Sequence, residues 1–194
     1  MLKVVIAEKG QAELSFLNFD VEKMIDQIMK KIPLSDLKGI SHIYVTDLPK
    51  KNGSKPKTTT GSYFQNFKGK PAYIEIYLKN LFKHINNPES MNLMLPIQSQ
   101  GLAHTIFHEV GHHVKHTKSH GIKKIKNESF AESYAMKLFK AYILDCADDI
   151  NNCFDNLEKV VDEKGLSSEI VKNMRAGWDK HYQAAINQKQ KFFI

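Results

Sequence analysis

Residues 101–116 run GLAHTIFHEVGHHVKH, with Leu102, Ile106, Val110 and Val114 four apart. That spacing is one face of an amphipathic α-helix, predicted over about Ile97 to Lys115. His104, His108, His112 and His116 make a second stripe with the same spacing. Four helical residues turn ~400°, so the His108 and His112 imidazoles project from one face a turn apart and can share one metal ion. Zinc takes neutral imidazole nitrogens, and a zinc centre that keeps an open position needs a third protein ligand from elsewhere.

A second helix, predicted from about Asn127 to Leu144 with Phe130, Tyr134, Leu138 and Tyr142 along one face, offers Glu128. Folded back across the first helix through the polar turn at Thr117 to Gly121, it would bring Glu128 to the two histidines. Ala131 is small enough for close helix packing. Glu132, one turn after Glu128, is positioned to accept a hydrogen bond from the distal nitrogen of His108 or His112. His116 and His120 are the rival third ligands; His116 continues along the same helix and so projects along it instead of across the metal.

The rest of the chain reads as α+β. Val21, Met24, Ile25, Ile28 and Ile32 recur at helical spacing behind the N-cap candidate Asp20. Ile40 to Val45 reads as a strand, and Ser62 to Phe67 as a short one inside the Lys-, Gly- and Thr-rich stretch Asp47 to Pro71. Ala72 to Leu78 alternates Ala72, Ile74, Ile76 and Leu78 with Tyr73, Glu75 and Tyr77, the pattern of a strand with one buried face. Asn86, Asn87 and Pro88 break the chain before the histidine helix. Asp155 to Glu163 and Ser167 to Gln188 form helices separated at Gly165. With no repeat or linker, residues 1–194 are expected to form one domain, its core at about 72–144 and a helical part at about 150–194.

A chain of this length can bury roughly 70% of its unfolded surface without staples. Its 42% hydrophobic and 25% charged residues are those of an ordinary soluble domain. The apolar run at Val4, Val5 and Ile6 is too short for a secretory signal, and no window approaches a membrane span; a cytoplasmic protein without membrane contact is expected. The formal net charge of +7 comes from lysines spread along the chain, with hardly any arginine and no aromatic interleaving. A solvated surface therefore outweighs a nucleic-acid site. Cys146 and Cys153 read as free thiols.

HEVGHH followed by ESFAE resembles the gluzincin metallopeptidases, whose pattern is HExxH with a later ExxA[D/E] glutamate. The resemblance spans about Tyr73 to Tyr142 and is nearest in style to short ImmA/IrrE-type and phage-associated peptidases, although no DNA-binding helix-turn-helix is legible ahead of the motif. A metzincin is excluded, since its glycine and third histidine would fall at Lys115 and Lys118. The resemblance implies a zincin-like fold: a small mixed or antiparallel sheet whose edge strand packs on the active-site helix, followed by C-terminal helices. It implies Zn²⁺ on His108, His112 and Glu128, with Glu109 as the general base that takes a proton from a zinc-activated water and returns it to the leaving amine. It also implies that a protein or peptide substrate pairs with the strand before the helix, for which Ala72 to Leu78 is the candidate. An oxyanion-stabilising group is expected opposite the metal, with Tyr134, His181 and Tyr182 unranked. The competing reading is a zinc-stabilised interaction or regulatory module without peptidase activity, disfavoured because structural zinc sites are usually closed by four cysteine-rich ligands.

Overall fold

Ile43, Val45, Ile74 and Ile76 alternate with polar and aromatic residues, and period two sends all four to one face of a sheet, where each is fully buried. The computed structural model describes residues 2–17, 20–48, 58–83, 88–118, 124–165 and 167–191. Within them four strands, β1 (Lys3–Ile6), β2 (Ile40–Thr46), β3 (Gly61–Phe64) and β4 (Ala72–Tyr77), form one sheet of order β1-β2-β4-β3. β2 pairs in parallel with both β1 and β4, while β3 runs antiparallel to β4.

β4 is therefore interior. The expectation that Ala72 to Leu78 is the edge strand is corrected: among the described residues the edge beside β4 is β3. Alternation reports a pleated strand but not its neighbours. Nor is only one face of β4 covered, because Glu75 and Tyr77 are buried as well. The Tyr77 hydroxyl donates to Glu75 Oε2 at 2.7 Å, which satisfies the carboxylate that burial strips of water.

Eight helices occur among the described residues: α1 (Glu8–Leu17), α2 (Val21–Met29), α3 (Leu34–Leu37), α4 (Leu78–Leu81), α5 (Pro88–Lys118), α6 (Lys124–Asp145), α7 (Ala147–Glu163) and α8 (Glu169–Lys191). The fold is a mixed α+β arrangement around a four-stranded mixed sheet. Asp20 caps α2 as predicted, its side chain accepting from the Lys23 backbone N–H at 3.0 Å. Leu102, Ile106, Val110 and Val114 of α5 are all buried and join the sheet isoleucines and α2 in one core. Each such side chain contributes about 1.5–3 kcal/mol of hydrophobic stabilisation.

α5 begins at Pro88, earlier than the predicted Ile97, and runs through Pro96. A proline inside a helix removes one i→i−4 hydrogen bond, which is why the sequence suggests a start there. Here the turn is held by its surroundings: Ser99 Oγ donates to the Pro96 carbonyl at 2.6 Å and accepts from the Tyr142 hydroxyl of α6 at 3.3 Å. α7 is also longer than predicted, starting at Ala147. β1 and α1 were not legible as separate elements.

Candidate metal centre

Gly111 is the point where α5 and α6 touch. A Cβ placed there would lie 2.8 Å from Ala131 Cα and 3.0 Å from the Ala131 carbonyl oxygen, so only glycine lets the α6 backbone come this close. The buried seam of α6 is accordingly Ala131, Ala135 and Phe139, not the predicted Phe130, Tyr134 and Leu138, which are half-buried. Bulk suggested the stripe, whereas the close approach at Gly111 selects a small side chain at Ala131.

That crossing sets Glu128 over the histidine pair. His108 Nε2 and His112 Nε2 are 3.1 Å apart, and Glu128 Oε2 lies 3.4 Å from the first and 3.5 Å from the second. Ligand atoms about 2.0–2.1 Å from a common tetrahedral centre are separated by about 3.3–3.4 Å, so the triangle has the size that a zinc ion requires. Among the described residues no other His, Cys, Asp or Glu joins the three. Burial pushes the His112 imidazole below its ordinary value and the neighbouring His108 adds to this, while Glu128 pulls the other way. The neutral imidazole so favoured is the form that binds metal.

Glu132 stands behind the first histidine. Its Oε2 is 3.3 Å from His108 Nδ1, and its Oε1 is 3.3 Å from His104 Nε2. His108 Nδ1 is buried and makes no aligned hydrogen bond, so Glu132 stands at hydrogen-bond distance from it without a directed bond. Of the two histidines expected as partners of Glu132, His108 is the one beside it, and His104 flanks the same carboxylate.

Glu109 points to the opposite side, toward β3, and is buried. The Tyr63 backbone N–H donates to Glu109 Oε2 at 2.6 Å. β3 can approach so closely because residue 61 is glycine: a Cβ there would meet Thr105 Cγ2 at 2.5 Å and Glu109 Cγ at 3.3 Å. His113, immediately after the metal-group His112, faces the same strand. Its Nδ1 is 3.1 Å from the Tyr63 hydroxyl and its Nε2 is 2.9 Å from the Lys38 carbonyl oxygen. Nothing local in the sequence signals this contact between residues 50 positions apart.

The remaining candidates lie elsewhere. His116 is exposed, with its ring 6.3 Å from that of Tyr63, and is outside the metal group; His120 falls outside the described residues. The Tyr134 hydroxyl donates to Asp36 Oδ2 at 2.9 Å and so serves the α3–α6 contact. Tyr182 stacks on Trp178 at 5.6 Å, and His181 is exposed on α8. The basic residues Lys50 to Lys57, together with Phe192 and Phe193, lie outside the described residues. A cavity of about 580 Å³ opens beside Met24, Leu95, Tyr142, Cys146 and Cys153, and none of the metal-group residues lines it. Both thiols are free, and burial pushes them up to about 12 and about 11.

No protein-family model, curated protein or solved structure matches the chain. Among the described residues, no helix is long and apolar enough to cross a membrane.

Proposed function

We propose that this chain is a zinc-dependent metallopeptidase of the gluzincin kind with a zincin-like fold. The observation that carries the reading is the triangle of His108 Nε2, His112 Nε2 and Glu128 Oε2, with sides of 3.1, 3.4 and 3.5 Å, with the buried Glu109 next to His108 in the chain. His108, His112 and Glu128 would hold the ion, and Glu132 would orient His108. Zinc, when bound, supplies Lewis acidity that acidifies a water and polarises a carbonyl.

The chain's own residues do the rest. Glu109 accepts a proton from the attacking water and delivers it to the departing amine nitrogen, so one carboxylate serves both halves of the hydrolysis. The substrate is a peptide in extended form, and its pairing partner in this reading is β3 in place of Ala72 to Leu78, since among the described residues β3 is the edge strand beside β4.

Metal content by inductively coupled plasma mass spectrometry tests the reading on purified wild type, His112→Ala, Glu128→Ala and Glu109→Gln. One zinc per wild-type chain is expected, lost or sharply weakened in the first two variants and kept in the third. Glu109→Gln should lower hydrolysis of labelled casein by roughly 10²–10⁴-fold, the usual worth of a general base. Wild type that stays metal-free in zinc-supplemented buffer overturns the enzyme reading. Zinc retention without any hydrolysis across a peptide library moves it to the non-catalytic zinc module.

A further inference from the structure

β3 and the helix that carries the metal group are joined by a hydrogen-bonded chain that the proposed chemistry does not use. The Lys38 carbonyl can only accept, so His113 Nε2 carries the proton and donates to it at 2.9 Å. That fixes Nδ1 as an acceptor, and the Tyr63 hydroxyl donates to it at 3.1 Å. The phenol stays protonated for this purpose, since burial raises Tyr63 to about 12. The ring is itself buried, with Gly39 turning past it at φ +99° and its Cβ position 3.5 Å from His113 Cε1. His113 is thus gripped from both sides, by the Lys38–Gly39 turn and by β3.

The strand register shows what this grip delivers. Tyr77 N–H bonds to the Thr60 carbonyl, so on β3 the alternate positions Ser62 and Phe64 face β4, while the N–H and C=O of Gly61 and Tyr63 face away from it. The Tyr63 N–H that meets Glu109 Oε2 at 2.6 Å is one of these donors. One residue therefore presents its hydroxyl to His113 and its amide to Glu109. Both contacts land on α5, at positions 109 and 113, one turn apart.

We propose that Tyr63 and His113 are positioning residues for the proposed hydrolysis: the phenol–imidazole–carbonyl chain locks β3 on α5 so that the Tyr63 amide holds the Glu109 carboxylate in its working orientation. Neither side chain belongs to the metal group, and both act through the Glu109 carboxylate that the Tyr63 amide holds. The inference rests on the peptidase reading for its catalytic consequence, but its structural half is independent of it.

Two readouts on zinc-loaded Tyr63→Phe and His113→Gln separate the halves. The first is exchange of the residue-63 backbone amide, followed by NMR; both variants should exchange at least about tenfold faster than wild type while one zinc per chain is retained. The second is casein hydrolysis, where kcat should fall roughly ten- to a hundredfold with KM unchanged, as expected for a misaligned catalytic group. Unchanged amide exchange in both variants overturns the clamp even if activity drops. Faster exchange with unchanged kcat overturns the positioning role. Wild type that binds zinc and protects the amide but hydrolyses nothing overturns the peptidase reading and the positioning role with it, leaving only the hydrogen-bonded chain. Tyr63→Phe keeps the ring, so it guards against a fold lost through His113→Gln.

Discussion

Asp36 shows how one buried carboxylate can tie three helices. It sits on α3, and its Oδ2 accepts from the Tyr134 hydroxyl of α6 at 2.9 Å while its Oδ1 accepts from Lys118 Nζ of α5 at 3.2 Å. Burial pushes its pKa up, but the bonds from Tyr134, Lys118 and Ser35 together outweigh that and leave it below its ordinary value of 3.8. A depressed carboxylate contributes stability above its unfolded pKa and loses it as pH falls through the folded value. The stability of the α3–α5–α6 junction should therefore be flat from neutrality down to about pH 4 and decline below it, a window set by this shift. Tyr134→Phe removes the strongest opposing bond and should cost about 1 kcal/mol at neutral pH, with a smaller further loss in acid than wild type shows. Urea midpoints at pH 7 and pH 3 check this; an equal acid loss in both proteins would mean that other carboxylates carry the acid sensitivity.

At the scale of elements, the metal group is a product of one helix crossing. Gly111 and Ala131 set the distance between α5 and α6, and Glu128 reaches His108 and His112 only at that distance. Gly111→Ala puts a methyl 2.8 Å from Ala131 Cα, a contact that backbone must yield to. Overpacking of this kind costs about 1–3 kcal/mol, partly offset by the better helix propensity of alanine. Zinc affinity should fall while both histidines remain, and the gap between zinc affinity and thermal stability, measured by competition with a chromophoric chelator and by melting, separates displaced helices from general instability. Unaltered affinity would show that α6 can slide without moving Glu128. Much of this was legible in the sequence: HEVGH and the Glu128, Glu132 pair are spaced by helical turns, and helical geometry is local. What escaped depended on neighbours distant in the chain. β4 alternates like an edge strand but lies between β2 and β3, and Tyr63, His113 and Lys38 meet only after β3 has docked on α5.

At the scale of the molecule, the question is whether the metal group and the C-terminal helices unfold as one unit. α7 and α8 share the core cluster: Ile150, Phe154 and Leu157 of α7 and Val171, Trp178 and Ala185 of α8 are buried with the α5 residues Leu102 and Phe107. Trp178 is 4% exposed, and its indole N–H donates to Asn151 Oδ1 at 2.9 Å. It is the single tryptophan of the chain, which makes its fluorescence a reporter of the surroundings of α8. An ion that binds only the folded state stabilises it by RT ln(1 + [L]/Kd), about 4 kcal/mol at a thousandfold excess over Kd. If the continuous core couples the two regions, zinc should raise the melting midpoint seen by Trp178 fluorescence as much as that seen by far-ultraviolet circular dichroism, and a chelator should reverse both. A domain of this size shifts by about 2–4 °C per kcal/mol, so the expected rise at that excess is roughly 8–16 °C. Coincident curves mean that helices far from His108 draw stability from the ion through shared packing. A fluorescence midpoint indifferent to zinc, beside a circular dichroism midpoint that moves, would divide the chain into two folding units and confine the metal's influence to the sheet, α5 and α6.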